Sequence, residues 1–263
     1  MRYLTALVFL LACATAAPAQ ERTLVVAATT SIEDSGFFSF LSRTYQERTG
    51  IKPTLVSRPT AQALAAAHNG FVDVVIGNSP AALDRFMDEG DGTCRIKFMF
   101  DDFVIVGPAD DPAGIRGKDA AQALKEIARK RAIFLSRGDN SGTHVLENLL
   151  WDAAGINPKA RNGNWYRETG LGMGLSLGMA TRQNGYILVD RGTWLAHTEE
   201  GKREILVEGD PRLVNQYELI VVNPAKYPNL DPALGVEFAD WIASEEGQAV
   251  VAKFTIHGRQ VFF

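Results

Sequence analysis

Nine consecutive residues, Ser136 to His144 (S-R-G-D-N-S-G-T-H), concentrate hydrogen-bond donors at one point of the chain. Arg137 offers a permanent charge and a planar fork of N–H groups, while Ser136, Ser141 and Thr143 offer hydroxyls. An apolar, strand-like run precedes them at residues 132–135. A helical pattern follows at 145–154, with Val145, Leu146, Leu149, Leu150 and Ala153 as its apolar positions. A turn between strand and helix exposes the N–H groups of the helix's first turn, and Gly138 and Gly142 let backbone approach a guest. The chemistry such a stretch could perform is anion binding. The same atoms could do something plainer: Asp139, Asn140 or Ser141 is a good N-cap and would satisfy those N–H groups locally.

The elements that must position this turn repeat its grammar. A continuous apolar strand at 23–28 runs into Thr29-Thr30-Ser31 and a helix over 37–48. A strand at 52–56 leads through Ser57-Arg58-Pro59-Thr60 into a helix over 61–68. A third strand, 72–76, leads through Gly77-Asn78-Ser79-Pro80 into a helix reaching Met87. Three successive βα units predict an open parallel sheet flanked by helices, and ligands of such sheets lie beyond the carboxyl ends of the strands. Strand-rich residues 98–107 and the turn-rich 108–114 place a domain crossing there, before a helix over 118–131. Gly170-Leu171-Gly172-Met173-Gly174 opens a helix running to about Gln183; it is not G-x-G-x-x-G and carries no Walker lysine, so close packing or donation of helix N–H groups to a guest suits it better. Residues 186–190 form a buried strand, with Arg191 read as a structural partner of Asp190. Strands at 204–207 and 217–222 bracket the second crossing. Helices at 232–243 and 245–254 finish the chain, the second capped by Ser244. The expected division is one lobe from 20–107 plus 215–263 and another from 108–214.

Composition narrows the function classes. With 263 residues, 46% of them hydrophobic, the chain can bury one large or two small cores. Arg2, an apolar run from Leu4 to Ala12 and Ala17-Pro18-Ala19 predict a secretory leader, residues 1–19, cleaved after Ala19. Leu10-Leu11-Ala12-Cys13 resembles the pattern before a lipid-modified cysteine, and cleavage after Ala19 is preferred over lipid attachment. No later stretch is long enough to span a membrane, so the mature protein is expected to be soluble outside the cytoplasm. Loss of the leader removes one Arg and no acid, taking the formal charge from −4 to −5, so a nucleic-acid partner is not expected. Cys94 would then stand alone, without a disulfide partner or a thiolate zinc site. Asp101, Asp102, Asp110 and Asp111 lack EF-hand spacing and read as crossing-loop acids. No cofactor or metal is expected.

Several motifs, in order along nearly the whole mature chain, carry a family likeness. They are Ala28-Thr29-Thr30-Ser31 with Asp34-Ser35-Gly36, Phe103 to Pro108 with Asp111 to Ile115, the whole S-R-G-D-N-S-G-T-H, Glu168-Thr169-Gly170 with Gly172-Met173-Gly174, Asp190 to Thr193 and Val207 to Pro211. Together they resemble the tungstate-binding periplasmic proteins of ABC uptake systems. The resemblance implies a two-lobed class II periplasmic-binding-protein fold, each lobe a mainly parallel sheet flanked by helices, closing on one oxyanion in the interlobe cleft. It implies ligand contacts from Thr30, Ser31, Thr60, Arg137, Ser141 and Thr143, with Thr29, Arg58 and Gly172 as further candidates. It also implies delivery of tungstate or a similar oxyanion by a monomer to a membrane permease and its ATPase. The chain departs from the family pattern at Ala28, Glu33, Leu171 and the turn Arg58-Pro59-Thr60-Ala61.

Two rival readings remain open at this level. Arg58 and Arg137 could clamp phosphate, sulfate or a small carboxylate on the same fold. Alternatively, Ser141 or Ser31 could serve as a hydrolase nucleophile with His144 as base, although no G-x-S-x-G elbow or orienting carboxylate accompanies them.

Overall fold

The computed structural model describes residues 23–160, 164–197 and 203–263. The expected leader, with Cys13, lies outside the described residues. In chain order the elements are β1 (Thr23–Ala28), α1 (Thr30–Asp34), α2 (Phe37–Thr49), β2 (Lys52–Ser57), α3 (Thr60–His68), β3 (Val74–Gly77), α4 (Pro80–Asp88) and β4 (Gly92–Pro108). They continue with α5 (Ala120–Lys130), β5 (Phe134–Ser136), α6 (Gly142–Ala153), β6 (Tyr166–Glu168), α7 (Met173–Arg182), β7 (Tyr186–Asp190), α8 (Arg191–His197) and β8 (Arg203–Val207). The last are β9 (Val214–Val222), α9 (Leu234–Ala243), α10 (Glu245–Lys253), β10 (Thr255–Ile256) and β11 (Arg259–Gln260).

Hydrogen bonding orders the strands β2-β1-β3-β9-β4-β7-β5-β6, with β8 also on β4. The junction between lobes is β4 itself. Its residues Gly92 to Asp102 pair antiparallel with β9, and Phe103 to Pro108 pair with β7 and β8. The exchange of partners thus falls between Asp102 and Phe103, ahead of the crossing expected at 107/108. No turn residue marks it, because the apolar run Phe103 to Val106 continues the strand without a break. We call the part built on β1, β2, β3 and β9 lobe I, and the part built on β5 to β8 lobe II.

The two-lobed α/β architecture is present, with one correction: neither sheet is mainly parallel. β1 runs parallel to β2 and β3, and β5 runs parallel to β6 and β7. The pairs β3–β9, β4–β9, β4–β7 and β4–β8 are antiparallel. The cause is the return path, since a chain that leaves one lobe along β4 and comes back along β9 must traverse the junction in both directions. β3 and β7 are buried along their whole length, as continuous apolar runs require when helices cover both faces.

One core packs α2, α9 and α10 onto lobe I and extends through Met173, Val189 and Trp194 into lobe II. A second fills lobe II around Trp151, Phe134 and Trp165, and a third lies under α3 and α4. The carboxyl ends of β1, β3 and β5 and the N-termini of α1, α3, α6 and α7 meet where the lobes face each other. Among the described residues no helix is long and apolar enough to cross a membrane.

Candidate functional site

The turn after β5 is wired to itself. Ser141 caps α6, its Oγ accepting the His144 N–H at 3.2 Å, and its own N–H donates to Asp139 Oδ1 at 3.1 Å. Asp139 Oδ2 accepts from Arg137 Nη2 at 2.5 Å. Gly138 (φ 62°) and Asn140 (φ 57°) take the left-handed conformation that folds the chain back; glycine and asparagine tolerate it best. The cap reading is therefore correct for Ser141. It does not exhaust the turn, because Arg137 is only 1% exposed and its Nε–H has no hydrogen-bond partner. A buried guanidinium N–H left unpaired is costly, which singles Arg137 out within the turn.

Beneath this turn Glu147 is fully buried, accepting from Trp151 Nε1 (3.0 Å) and the Tyr166 hydroxyl (2.9 Å). Burial pushes its carboxyl up to about 7. His144 accepts the Asn140 N–H at Nδ1 (3.0 Å), and burial lowers its pKa, which favours the neutral ring. Ser141 and His144 are not joined as hydroxyl and base: the link between them runs from the His144 backbone N–H to Ser141 Oγ, and the ring's Nδ1 accepts from Asn140.

Lobe I brings a second set of donors. Thr29 and Ser31 are buried at the N-terminus of α1; the hydroxyl of Thr29, the N-cap residue, has no partner and makes no side-chain cap, while Ser31 lies beside the Asp190 carboxyl. Thr30 Oγ1 accepts the N–H of Met173 at 3.2 Å, which leaves its own O–H to donate. Thr60 begins α3 and is fully buried, but its hydroxyl donates to Asn78 Oδ1 at 3.1 Å. Its backbone N–H at the first helical turn remains the donor it can offer.

Cross-lobe contacts bring these sets together. Asn78 lies so close to Gly142 that a Cβ there would come within 2.2 Å of Asn78 Oδ1. Within lobe II, Thr143, 1% exposed, places Oγ1 4.0 Å from Met173 Sδ and so sets the first turns of α6 and α7 side by side. Gly172, the N-cap residue of α7, lies against Thr30, whose Cγ2 would be 3.3 Å from an added Cβ. Asp190 ends β7 with Oδ1 accepting the Thr193 N–H at 2.7 Å. Its buried carboxyl lies against the hydroxyls of Ser31 and Thr193 and in the field of Arg137; burial raises its pKa, and these neighbours pull it back down. Asp139 thus offsets the charge of Arg137, so the site offers many donors with little net positive charge.

Of the expected contacts, Thr29, Thr30, Ser31, Thr60, Arg137, Ser141, Thr143 and Gly172 come together where the lobes meet. Arg58 does not: it is exposed, and its Nη1 folds back onto the Ser57 carbonyl at 2.9 Å. Arg191 does not pair with Asp190. It bridges Asp102 (2.6 and 2.7 Å) and Glu208 (2.8 Å), tying α8 to both chain crossings. Sequence reading missed Asn78 as a site residue. Its Oδ1 accepts the Thr60 hydroxyl and its Nδ2 donates to Asn215 Oδ1 at 2.9 Å, a partner 137 residues away that no local pattern reveals.

An acceptor-only tetrahedral guest fits this donor set. The Nε–H of Arg137 and the hydroxyls of Thr29, Ser31, Thr30 and Ser141 can all donate, and the first turns of α1, α3 and α6 add N–H groups.

Comparison with known proteins agrees. Residues 14–246 match the family model of the PBP superfamily domain. The chain is 39% identical over 234 residues to the tungstate-binding protein TupA of Peptoclostridium acidaminophilum, covering 88% of this chain and 81% of that one. Among solved structures it resembles the tungstate ABC transporter protein of Geobacter sulfurreducens at 39% identity, with a TM-score of 0.82 over 90% of this chain and all of that chain. It likewise resembles the tungstate-binding protein TupA of Desulfovibrio alaskensis G20, also at 39% identity, with a TM-score of 0.76 over 91% and 97% of the two chains. These relatives are binding proteins of ABC transporters and not enzymes. A two-lobed α/β fold matched over nearly its whole length by such proteins places this chain in the PBP superfamily, as an oxyanion-binding protein of the ABC-transporter family that the TupA proteins represent.

Proposed function

We propose that the protein captures tungstate, with molybdate as the nearest competitor, and delivers it in the periplasm as a monomer to an ABC permease and its ATPase. One observation carries this reading: buried donors without partners, the Thr29 hydroxyl from lobe I and Arg137 Nε from lobe II, come from opposite sides of one cleft. A dianion between them would satisfy both lobes at once. Each charge-assisted hydrogen bond would contribute roughly 1.5–3 kcal/mol net, and the donors act only when water is excluded, so binding and lobe closure reinforce each other.

In this scheme Arg137, fixed by Asp139, supplies the permanent positive field. Thr29, Thr30, Ser31, Ser141 and Thr143 supply neutral donors, and Gly142 and Gly172 let the backbone close in. Thr60 contributes through its backbone unless Asn78 releases its hydroxyl. Discrimination against sulfate and phosphate then rests on the span between the lobes, since tungstate and molybdate are larger ions of the same shape and charge as sulfate. The surface position of Arg58 argues against a two-arginine clamp for carboxylates.

Isothermal titration of the mature protein with tungstate, molybdate, sulfate and phosphate tests the assignment. Tight tungstate binding with at least a hundredfold weaker sulfate binding is expected. Equal affinity for sulfate, or heat only with phosphate, would move the protein to another anion.

A further inference from the structure

The N-terminus of α7 is capped from the other lobe. Its N-cap residue, Gly172, has no side chain to satisfy the first N–H groups. Two of these donate instead to α1 of lobe I: Met173 N to Thr30 Oγ1 at 3.2 Å, and Gly174 N to Asp34 Oδ2 at 2.8 Å. Glycine at 174 permits the approach, because a Cβ there would meet Asp34 Cγ and Oδ1 at 3.1 Å and His197 Nε2 at 3.2 Å. The Asp34 carboxylate also sits at the positive end of the helix, where a negative charge is favoured. Both contacts join residues about 140 positions apart and exist only while the lobes face each other as they do here.

We propose that Asp34 is the positioning residue of lobe closure: by capping α7 across the cleft, it holds the closed form and sets how slowly a captured anion leaves. The inference rests on the oxyanion-binding reading above. A group that interacts with the opposite lobe only in the closed state biases the equilibrium toward that state without touching the guest. Loading takes place in the open form, where Asp34 has no partner on α7. Its effect therefore belongs to dissociation and not to association.

Stopped-flow binding of tungstate to the mature chain tests this. Asp34→Ala should raise Kd about tenfold, equivalent to 1.4 kcal/mol, with the change in the dissociation rate and the association rate within about twofold of the original. Asp34→Asn, whose side-chain oxygen still accepts the Gly174 N–H, should recover most of the affinity. Gly174→Ala should keep or raise the thermal midpoint, because alanine favours helix over glycine, yet speed dissociation by pushing Asp34 away. An unchanged dissociation rate in folded Asp34→Ala, a loss confined to association, or wild-type kinetics in Gly174→Ala would each overturn the proposal. If the unsubstituted protein takes up no tungstate, the binding assignment fails separately. The latch is then read in anion-free protein by small-angle scattering, where a larger radius of gyration for Asp34→Ala supports it and an equal radius overturns it.

Discussion

The first turns of α6 and α7 stand side by side in lobe II, and both follow glycine-rich, hydroxyl-bearing turns. They are satisfied in opposite ways. α6 is capped by its own neighbour, Ser141, and Arg137 is anchored two residues from Asp139, so this half of the site is complete within nine residues. α7 has no side-chain cap of its own and receives Thr30 and Asp34 from the other lobe. The difference separates two tasks. A self-capped turn is rigid before the guest arrives and can hold a preformed donor, whereas a turn capped from across the cleft reports whether the lobes have met. Helices away from the cleft support the contrast, since Asp119 and Ser244 cap α5 and α10 locally.

The largest expected effect tests whether the charge belongs to the α6 turn. Arg137→Ala should weaken tungstate binding at least a hundredfold by titration calorimetry, since it removes a charged donor and leaves Asp139 buried without its partner. Wild-type binding by this variant would reduce Arg137 to a structural ion pair.

Next in size is a pH effect confined to α6. The folded-state pKa of Glu147, about 7, lies above its ordinary 4.5. The folded chain therefore holds a proton that the unfolded chain has already lost, and stability falls as pH rises from about 4.5 to about 7. The loss should be on the order of 2–3 kcal/mol. Chemical denaturation should show Glu147→Gln flattening this slope and melting higher than wild type at pH 8. An identical slope in the variant would mean that Glu147 is not the titrating group.

Glycine substitutions compare the two cross-lobe contacts directly. Gly142→Ala would drive a methyl to within 2.2 Å of Asn78 Oδ1 and 2.6 Å of the Asn78 backbone oxygen, which no rotamer change relieves. Its affinity loss, read by the same calorimetry, should exceed tenfold and exceed that of Gly174→Ala, where the closest approach is 3.1 Å to a side chain. The reverse order would make α7 the tighter contact. Smallest is Ser141→Ala, which should lower stability in urea denaturation by about 1 kcal/mol through loss of a helix cap; no change would show that the cap is dispensable.

Much of this was legible in the residues because it is local. The βα units, the Ser244 cap, the donor-rich turn at Arg137 and the glycines of α7 all follow from short-range pattern. What could not be read depends on partners far along the chain. The commitment of Thr60's proton to Asn78 needs the fold, as does the bridge from Arg191 to Asp102 and Glu208. Arg58 sits on the expected turn, yet its long side chain turns to solvent and a neighbouring carbonyl, an outcome residue type alone does not decide. The crossing inside β4 left no signal because a strand that changes partners remains apolar throughout. The antiparallel pairs followed from that same hidden return.

The central claim is that one oxyanion is held between the Arg137 turn and the N-terminus of α1. The most direct measurement is a crystal structure of the mature protein with tungstate, using the anomalous scattering of tungsten to locate the ion. A single strong peak within hydrogen-bonding reach of Arg137 Nε and the Thr29 or Ser31 hydroxyl is the predicted result. A peak elsewhere, or none at saturating tungstate with the cleft fully ordered, would contradict the account.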